Sequence, residues 1–352
     1  MSLSDVTLIV HSYNRPELLF RLLRYYSHCP EMAEVEVIVA DGSWEAQREE
    51  FLRMMAAAGV TLRYRLISFP PELPLHHRLQ AVLPEVTRPF TLLAADDDFY
   101  MFDWLVEASA YLSGHPDTNV VHGQYLTFSL NGFRAFSNEI VFRAPFVENP
   151  PIPWQEQSSP IERLEEIARL DGGLMPAGWY ALQRTHLLVR LLNLVIPCAL
   201  PVLLFERFLV VAQAASGKAH MIDRLFIVRQ SDLDPARDPP PEPLGLHDNR
   251  EGVAQLKDCC VRWLSEECGI VDAGALVDRV LAADLRWMRD ADRKRLARAL
   301  ANHFPILNRL RRKNPISGDP DRLAMRDPRF PQPRPPMDYR RYTDIISHEV
   351  RA

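Results

Sequence analysis

Three consecutive carboxylates, Asp96-Asp97-Asp98, close the apolar run Thr91-Leu92-Leu93-Ala94-Ala95 and precede an aromatic pair, Phe99-Tyr100. Adjacent anions repel one another and lose hydration when a fold covers them. Setting them at the end of a buried strand calls for a cation to offset them. Hard divalent ions with oxygen ligands, Mg²⁺ or Mn²⁺, suit such a cluster, and these ions also bridge phosphates. The chemistry indicated is that of an enzyme handling a nucleotide-activated substrate. Helix N-capping accounts for one acid but not for three.

The elements that must hold these acids are legible upstream. Val6 to Val10 reads as a strand, the polar turn His11 to Pro16 follows, and Leu18, Leu19, Leu22, Leu23 and Tyr26 recur at helical spacing. Pro16 suits the first turn of that helix. Val35 to Val39 reads as a second strand, Asp41-Gly42-Ser43 as a turn, and Ala46 to Ala58 as a helix stopped by Gly59. A strand over Val60 to Ser68, a helix over Leu75 to Leu83 and the strand Phe90 to Ala94 complete the alternation. Such alternation predicts an α/β layer with a mostly parallel sheet. Ligands of these sheets bind beyond the carboxyl ends of the strands. His11 to Arg15, Asp41 to Ser43 and Asp96 to Asp98 should therefore meet along one edge.

Past Val120 the pattern changes. Val120 to Phe128 and Phe133 to Phe142 read as a hairpin about Asn131-Gly132. Helical text follows at Ile161 to Leu170, Thr185 to Leu194 and Glu206 to Ala215, with a returning strand at Met221 to Val228. The expected organisation is one α/β domain over 1–232, with halves 1–119 and 120–232. A linker (233–250), a helical subdomain (251–312) and a basic, Pro-rich tail (313–352), extended or disordered, complete it.

Composition excludes some classes. The net charge is -5, which argues against a nucleic-acid binder. The tail carries a local positive excess, but acids interrupt it. Peripheral contact with an anionic membrane is one option for it, and a solvated tail is the default. The apolar stretch His186 to Val211 is broken by Arg190, Asn193, Pro197, Pro201 and Glu206, so it reads as buried core rather than a transmembrane helix. Five cysteines, odd in number and without a CxxC pair, give neither a disulfide framework nor a zinc pattern. A cytoplasmic location is expected.

The ordered segments Leu8-Ile9-Val10-His11-Ser12-Tyr13-Asn14-Arg15-Pro16, Val37-Ile38-Val39-Ala40-Asp41-Gly42-Ser43 and Asp96-Asp97-Asp98 resemble the opening turn, the "DGS" strand end and the DxD motif of GT-A fold glycosyltransferases, close to family 2. The resemblance spans Thr7 to about Arg229. It implies a Rossmann-like GT-A fold, here with a C-terminal helical extension. The implied activity is metal-dependent, hexosyltransferase-type transfer from a nucleoside diphosphate sugar, UDP-sugar first, to a glycan or other hydroxyl acceptor, with inversion.

The resemblance also implies roles. Tyr13 and Arg15 would contact the uridine, Asp41 would accept the uracil N–H, and Arg78 would lie near the diphosphate. Asp96 would touch the ribose and Asp98 would hold Mn²⁺ or Mg²⁺, with Asp97 the substitute for either. Glu206 would be the general base; an acid set among Leu203, Leu204 and Phe205 is expected to have a raised pKa, which suits a base. Asp171, Trp179 and Tyr180 would serve the acceptor, the aromatics as stacking platforms. Each role has a structural competitor: a turn at Asp41, a solvated basic face at Arg78, helix-dipole stabilisation at Glu206 and core packing for the aromatics. Two departures stand out. Ala40 replaces a second acid, and Ser231 replaces a His that can complete the metal shell; Asp232, Asp234 or His247 are candidates to substitute. A non-catalytic nucleotide- or carbohydrate-binding scaffold and a nucleotidyltransferase are the alternatives. The latter is disfavoured by the absence of glycine in His11 to Pro16.

Overall fold

A computed structural model describes residues 3–130, 140–143, 157–169, 177–198, 200–230, 249–303, 346 and 348. The first half alternates as the sequence predicts: β1 (Val6–Ser12), α1 (Pro16–Ser27), β2 (Glu36–Asp41), α2 (Glu45–Ala58), β3 (Arg65–Ser68), α3 (Leu75–Val82) and β4 (Phe90–Ala95). The third strand is shorter than the predicted Val60 to Ser68. α1 begins at Pro16, and Gly59 closes α2 at φ 61°, a left-handed cap that only glycine adopts without a Cβ penalty.

The triple Asp does not form one loop. Asp96 and Asp97 turn the chain, and Asp98 begins β5 (Asp98–Tyr100). After it come α4 (Phe102–Gly114), β6 (Thr118–Leu130), β7 (Ile140–Arg143), α5 (Pro160–Arg169), α6 (Ala177–Tyr180), β8 (Leu182–Arg184), α7 (Thr185–Val195), α8 (Val202–Ser216) and β9 (Lys218–Gln230). The expected hairpin is the antiparallel β6–β7 pair; its Asn131-Gly132 turn lies outside the described residues.

The described strands make one sheet in the order β3-β2-β1-β4-β8-β6-β9-β5, with β7 on β6. β3, β2, β1 and β4 run parallel. Every residue of β4 is buried, as is every residue of β1 but His11, the pattern of a parallel sheet covered on both faces. The second half is mixed: β4–β8, β8–β6 and β5–β9 are antiparallel, and the long β6–β9 pair is parallel. The α/β class, the sheet with flanking helices and the C-terminal helices are as read from the sequence.

α9 (Arg250–Arg262) and α10 (Ala273–His303) pack on α8 and α5, and Leu256, Cys260, Trp263 and Val277 join the same hydrophobic core as the sheet. One buried ion pair ties this extension to α8: Arg207 Nε lies 3.5 Å from Asp284 Oδ2, with side chains 6% and 2% exposed. At the far end of α8, Arg163 of α5 donates to the carbonyls of Ala214 and Ala215, capping carbonyls the helix cannot satisfy itself. α8 is thus anchored at both ends by buried arginine contacts.

The cysteine expectation is corrected in one respect. Cys259 is disulfide-bonded, while Cys29, Cys260 and Cys268 are free. Spacing along the chain carries no information about such a bond, because tertiary packing sets the pairing. Among the described residues no helix is long and apolar enough to cross a membrane.

Removing one partner of a desolvated ion pair strands the other charge. Asp284→Ala should therefore lower unfolding stability by about 3–5 kcal/mol in urea denaturation. A loss below about 1 kcal/mol, the range of exposed pairs, would show that water reaches the pair.

Candidate active site

The carboxyl ends of β1, β2 and β4 meet, and named bonds lock them together. Gly42 N–H donates to Ser12 O at 3.1 Å. Asn14 sits in the left-handed region, φ 57°, a conformation Asn tolerates better than most residues. Its N–H donates to Ser43 Oγ at 2.8 Å, and its own Oδ1 accepts from Trp44 N–H at 3.0 Å. Ser12 Oγ donates to Asp96 Oδ2 at 2.7 Å. The edge expected from strand alternation is therefore present.

The three acids divide between two arginines. Asp96, fully buried, pairs with Arg15 Nη2 at 2.6 Å, and Asp97 meets Arg15 Nη1 at 3.3 Å. Asp98 is directly opposite Arg229 in the β5–β9 register. Its Oδ1 accepts from Arg229 Nε at 3.0 Å and its Oδ2 from Ala95 N–H at 3.2 Å. Asp98, the acid expected to hold the ion, is 1% exposed here and both of its oxygens are engaged by protein donors. Strand alternation sends residue 98 inward once β5 pairs with β9. Asp97, 16% exposed, is the carboxylate that faces outward.

Burial raises the Asp96 carboxyl to about 7, with Asp97 and Asp98 adding and Arg15 and Ser12 opposing. Burial likewise raises Asp98 to about 6, against the pull of Arg229.

Asp41 is buried and doubly engaged. Oδ1 accepts from Ser43 N–H at 3.1 Å, and Oδ2 pairs with Arg48 Nε at 2.7 Å. A carboxylate has further lone-pair sites, so the turn role and acceptance from a ligand N–H coexist. Arg78 is 6% exposed, not on a solvated face. Its Nη1 donates to Ser12 O at 2.8 Å, and its guanidinium carbon stands 5.9 Å from the Tyr13 ring centroid. Burial lowers its pKa, opposed by Asp41, Tyr13 and Asp96, which puts a cation among those groups.

Tyr180 lies under Arg229, ring centroid to guanidinium carbon 3.9 Å, and its hydroxyl contacts the same guanidinium. Glu206 is close enough to Tyr180 to influence its phenol. It is partly exposed and is the fifth residue of α8, past the first turn, where the helix dipole acts most strongly. Trp179 is 2% exposed and packs against His11 and Phe205, so it offers no open face for stacking. Asp171 lies outside the described residues, as do Ser231, Asp232, Asp234 and His247.

Several members were not singled out by residue pattern. Arg48 is recognisable only once α2 brings it back over Asp41. Arg229 marked only the end of the resemblance, and its pairing with Asp98 depends on an antiparallel strand pair with no local signal. His11 and Ser12 carry the alternation of β1 to two different sites.

No protein-family model and no curated protein matches the chain. Solved structures align with it at low identity. Against S. aureus TarS the TM-score is 0.45 at 15% identity, covering 80% of this chain, which spans only 43% of the TarS chain. Against the mannosyltransferase PcManGT from Pyrobaculum calidifontis, in complex with GDP-Man and Mn²⁺, the TM-score is 0.42 at 15% identity, covering 98% of this chain and 85% of that one. Against glucosyl-3-phosphoglycerate synthase from Mycobacterium tuberculosis, in complex with Mn²⁺, UDP and phosphoglyceric acid, it is 0.39 at 13%, covering 77% and 80%. Likeness of this extent says nothing of ligands or chemistry in the present chain.

An ideal Cβ on Gly42 would lie 2.3 Å from Arg78 Nη1 and 2.7 Å from Cζ. Gly42→Ala should push the buried guanidinium off Ser12 O and cost about 1.5–3 kcal/mol, the worth of a hydrogen bond to a charged group. Thermal or urea unfolding reads this. An unchanged midpoint would mean that Arg78 has room to move aside.

Proposed function

We propose that this protein is a glycosyltransferase that moves a sugar from a nucleoside diphosphate sugar, UDP-sugar first, to a hydroxyl acceptor with inversion. One observation carries the reading. Three motif-bearing loops converge on one sheet edge, where buried carboxylates and guanidiniums alternate, and α8 brings Glu206 to the same edge beside Tyr180. The order of the motifs and their resemblance to family 2 support the sugar-nucleotide class.

The donor set fits a divalent ion of modest protein ligation. Among the described residues no group of three or more His, Cys, Asp or Glu is placed to hold a metal. Asp97 faces outward, and one or two carboxylates plus phosphate oxygens and water are the usual shell of Mg²⁺-like ions at phosphates. Asp97 therefore replaces Asp98 as the proposed ligand of Mn²⁺ or Mg²⁺. When bound, such an ion supplies charge compensation for the departing nucleoside diphosphate.

The chain's own residues do the rest. Tyr13 offers an aromatic face to the base, and Asp41 an acceptor to its N–H. Arg78, fixed on Ser12 O, sets positive charge beside the phosphates. Arg15 and Arg229 hold Asp96 and Asp98 in place. Glu206 takes the proton from the acceptor hydroxyl as that oxygen attacks the anomeric carbon, and the nucleoside diphosphate leaves from the opposite face. A glycan acceptor belongs to this proposal, whereas the bond at Cys259 counts against the reducing, cytoplasmic setting expected from the cysteine pattern.

The scaffold reading keeps one observation in its favour: protein donors already engage Asp96 and Asp98, so the acids are offset without an ion. Calorimetry separates the two readings. UDP is expected to bind more tightly with Mn²⁺ than without, and Asp97→Asn should remove that difference. Glu206→Gln should lower kcat by roughly 10²–10⁴-fold, the range of general-base catalysis, with UDP affinity kept. UDP binding without transfer from any nucleotide sugar would favour the scaffold. No binding of UDP, GDP or dTDP would sink both.

A further inference from the structure

His11 has an unusual position that the roles above leave unused. It precedes the last residue of β1, so its side chain leaves the strand on the face opposite to Ser12, which serves Asp96. Its ring meets Trp179 edge to face, centroids 5.9 Å apart at 70°. Trp179 in turn meets Phe205 at 5.4 Å and 88°, and Phe205 directly precedes Glu206. At the other end of this row His76 stands 5.9 Å from Phe205, buried, with neither ring nitrogen hydrogen-bonded.

His11 also feels the charges of Arg78, Arg15 and Arg229. The imidazole thus stands between the guanidiniums that face the carboxylates and the helix that carries Glu206. On the glycosyltransferase reading, the transferred sugar joins the diphosphate to the acceptor and so passes beside this row of rings. His11 is partly exposed, yet its Nε2 is buried and has no hydrogen-bond partner among the described residues. A buried polar nitrogen left without a partner costs stability, so its retention points to a ligand that supplies one.

The state of the ring narrows that ligand. Burial, then Arg78, Arg15 and Arg229, lower its pKa to about 3, so it is neutral near pH 7. A neutral imidazole offers one donor and one acceptor. Phosphate is served better by the neighbouring guanidiniums, whereas a hydroxyl, both donor and acceptor, matches the ring.

We propose that His11 reads the donor sugar: its imidazole hydrogen-bonds an uncharged ring hydroxyl of the hexosyl group, between the diphosphate and Glu206. This rests on the glycosyltransferase reading and adds the residue that recognises the transferred group.

The test uses the full chain with ¹⁵N-labelled histidine, following imidazole nitrogens while UDP and a panel of UDP-hexoses are titrated in. His11→Phe, which keeps a ring against Trp179, assigns the signals. The His11 nitrogens should move with a UDP-hexose and stay with UDP alone. The gain in affinity from UDP to that UDP-hexose should shrink about tenfold in His11→Phe, the loss of one hydrogen bond. Should that variant fail to fold, as thermal unfolding would show, His11→Asn and the native spectra decide. A bound UDP-hexose with silent His11 nitrogens, or equal shifts with UDP alone, would overturn the inference and leave the glycosyltransferase reading standing. No response to any nucleotide or nucleotide sugar would overturn both.

Discussion

Covering Asp96 and Asp98, two of three adjacent carboxylates, is the constraint on which this architecture turns. Desolvated anions survive only when matched, and here the match comes from two directions. Arg15, at the end of the first strand, takes Asp96 and Asp97. Arg229, near the end of the last strand, takes Asp98. The acids therefore tie the parallel half of the sheet to the mixed half. The short strand after the turn exists to make this division: it flips the third acid away from the first two and into register with β9.

The same constraint organises the rest of the edge. Asn14 in its left-handed conformation joins the first two strand ends, and Arg78 fills the space beneath Gly42 that any side chain there would claim. Four arginines stand against four carboxylates: Arg48 takes Asp41, Arg15 and Arg229 hold the triple acid, and Arg78 rests on the Ser12 carbonyl. An edge of this composition keeps its geometry without a bound anion and still presents charge to one. α8 approaches from the other side, its register set by Arg207 on the C-terminal helices and Arg163 on α5. Glu206 thus owes its place to residues far outside the motif-bearing half.

Legibility divides along the same line. Strand and helix alternation from Val6 to Ala95 could be read because parallel strands are continuous apolar runs and helices carry period and caps. The meeting of His11 to Arg15, Asp41 to Ser43 and Asp96 to Asp98 followed from that alternation. β5, β8, α4 and α6 were not foreseen. Three of the four span three or four residues, too short for any period to show, and β5 begins with an acid that reads as loop. Trp179 showed the limit of residue type as a guide, since a large aromatic near a site is equally at home in the core. The orientation of Asp98 depended on a pairing between residues 98 and 229, information that no window of sequence contains.

That separation has a kinetic side. The Asp98–Arg229 contact closes 131 residues of chain, and the Arg21–Gln230 bond closes 209. Contacts this distant form late, after the entropy of long loops has been overcome. On a ribosome, strands β1 to β4 can pair while the rest is still being made. Asp98 must wait for β9 to emerge, so the chain spends much of its synthesis with an unmatched acid at the end of an otherwise finished half-sheet.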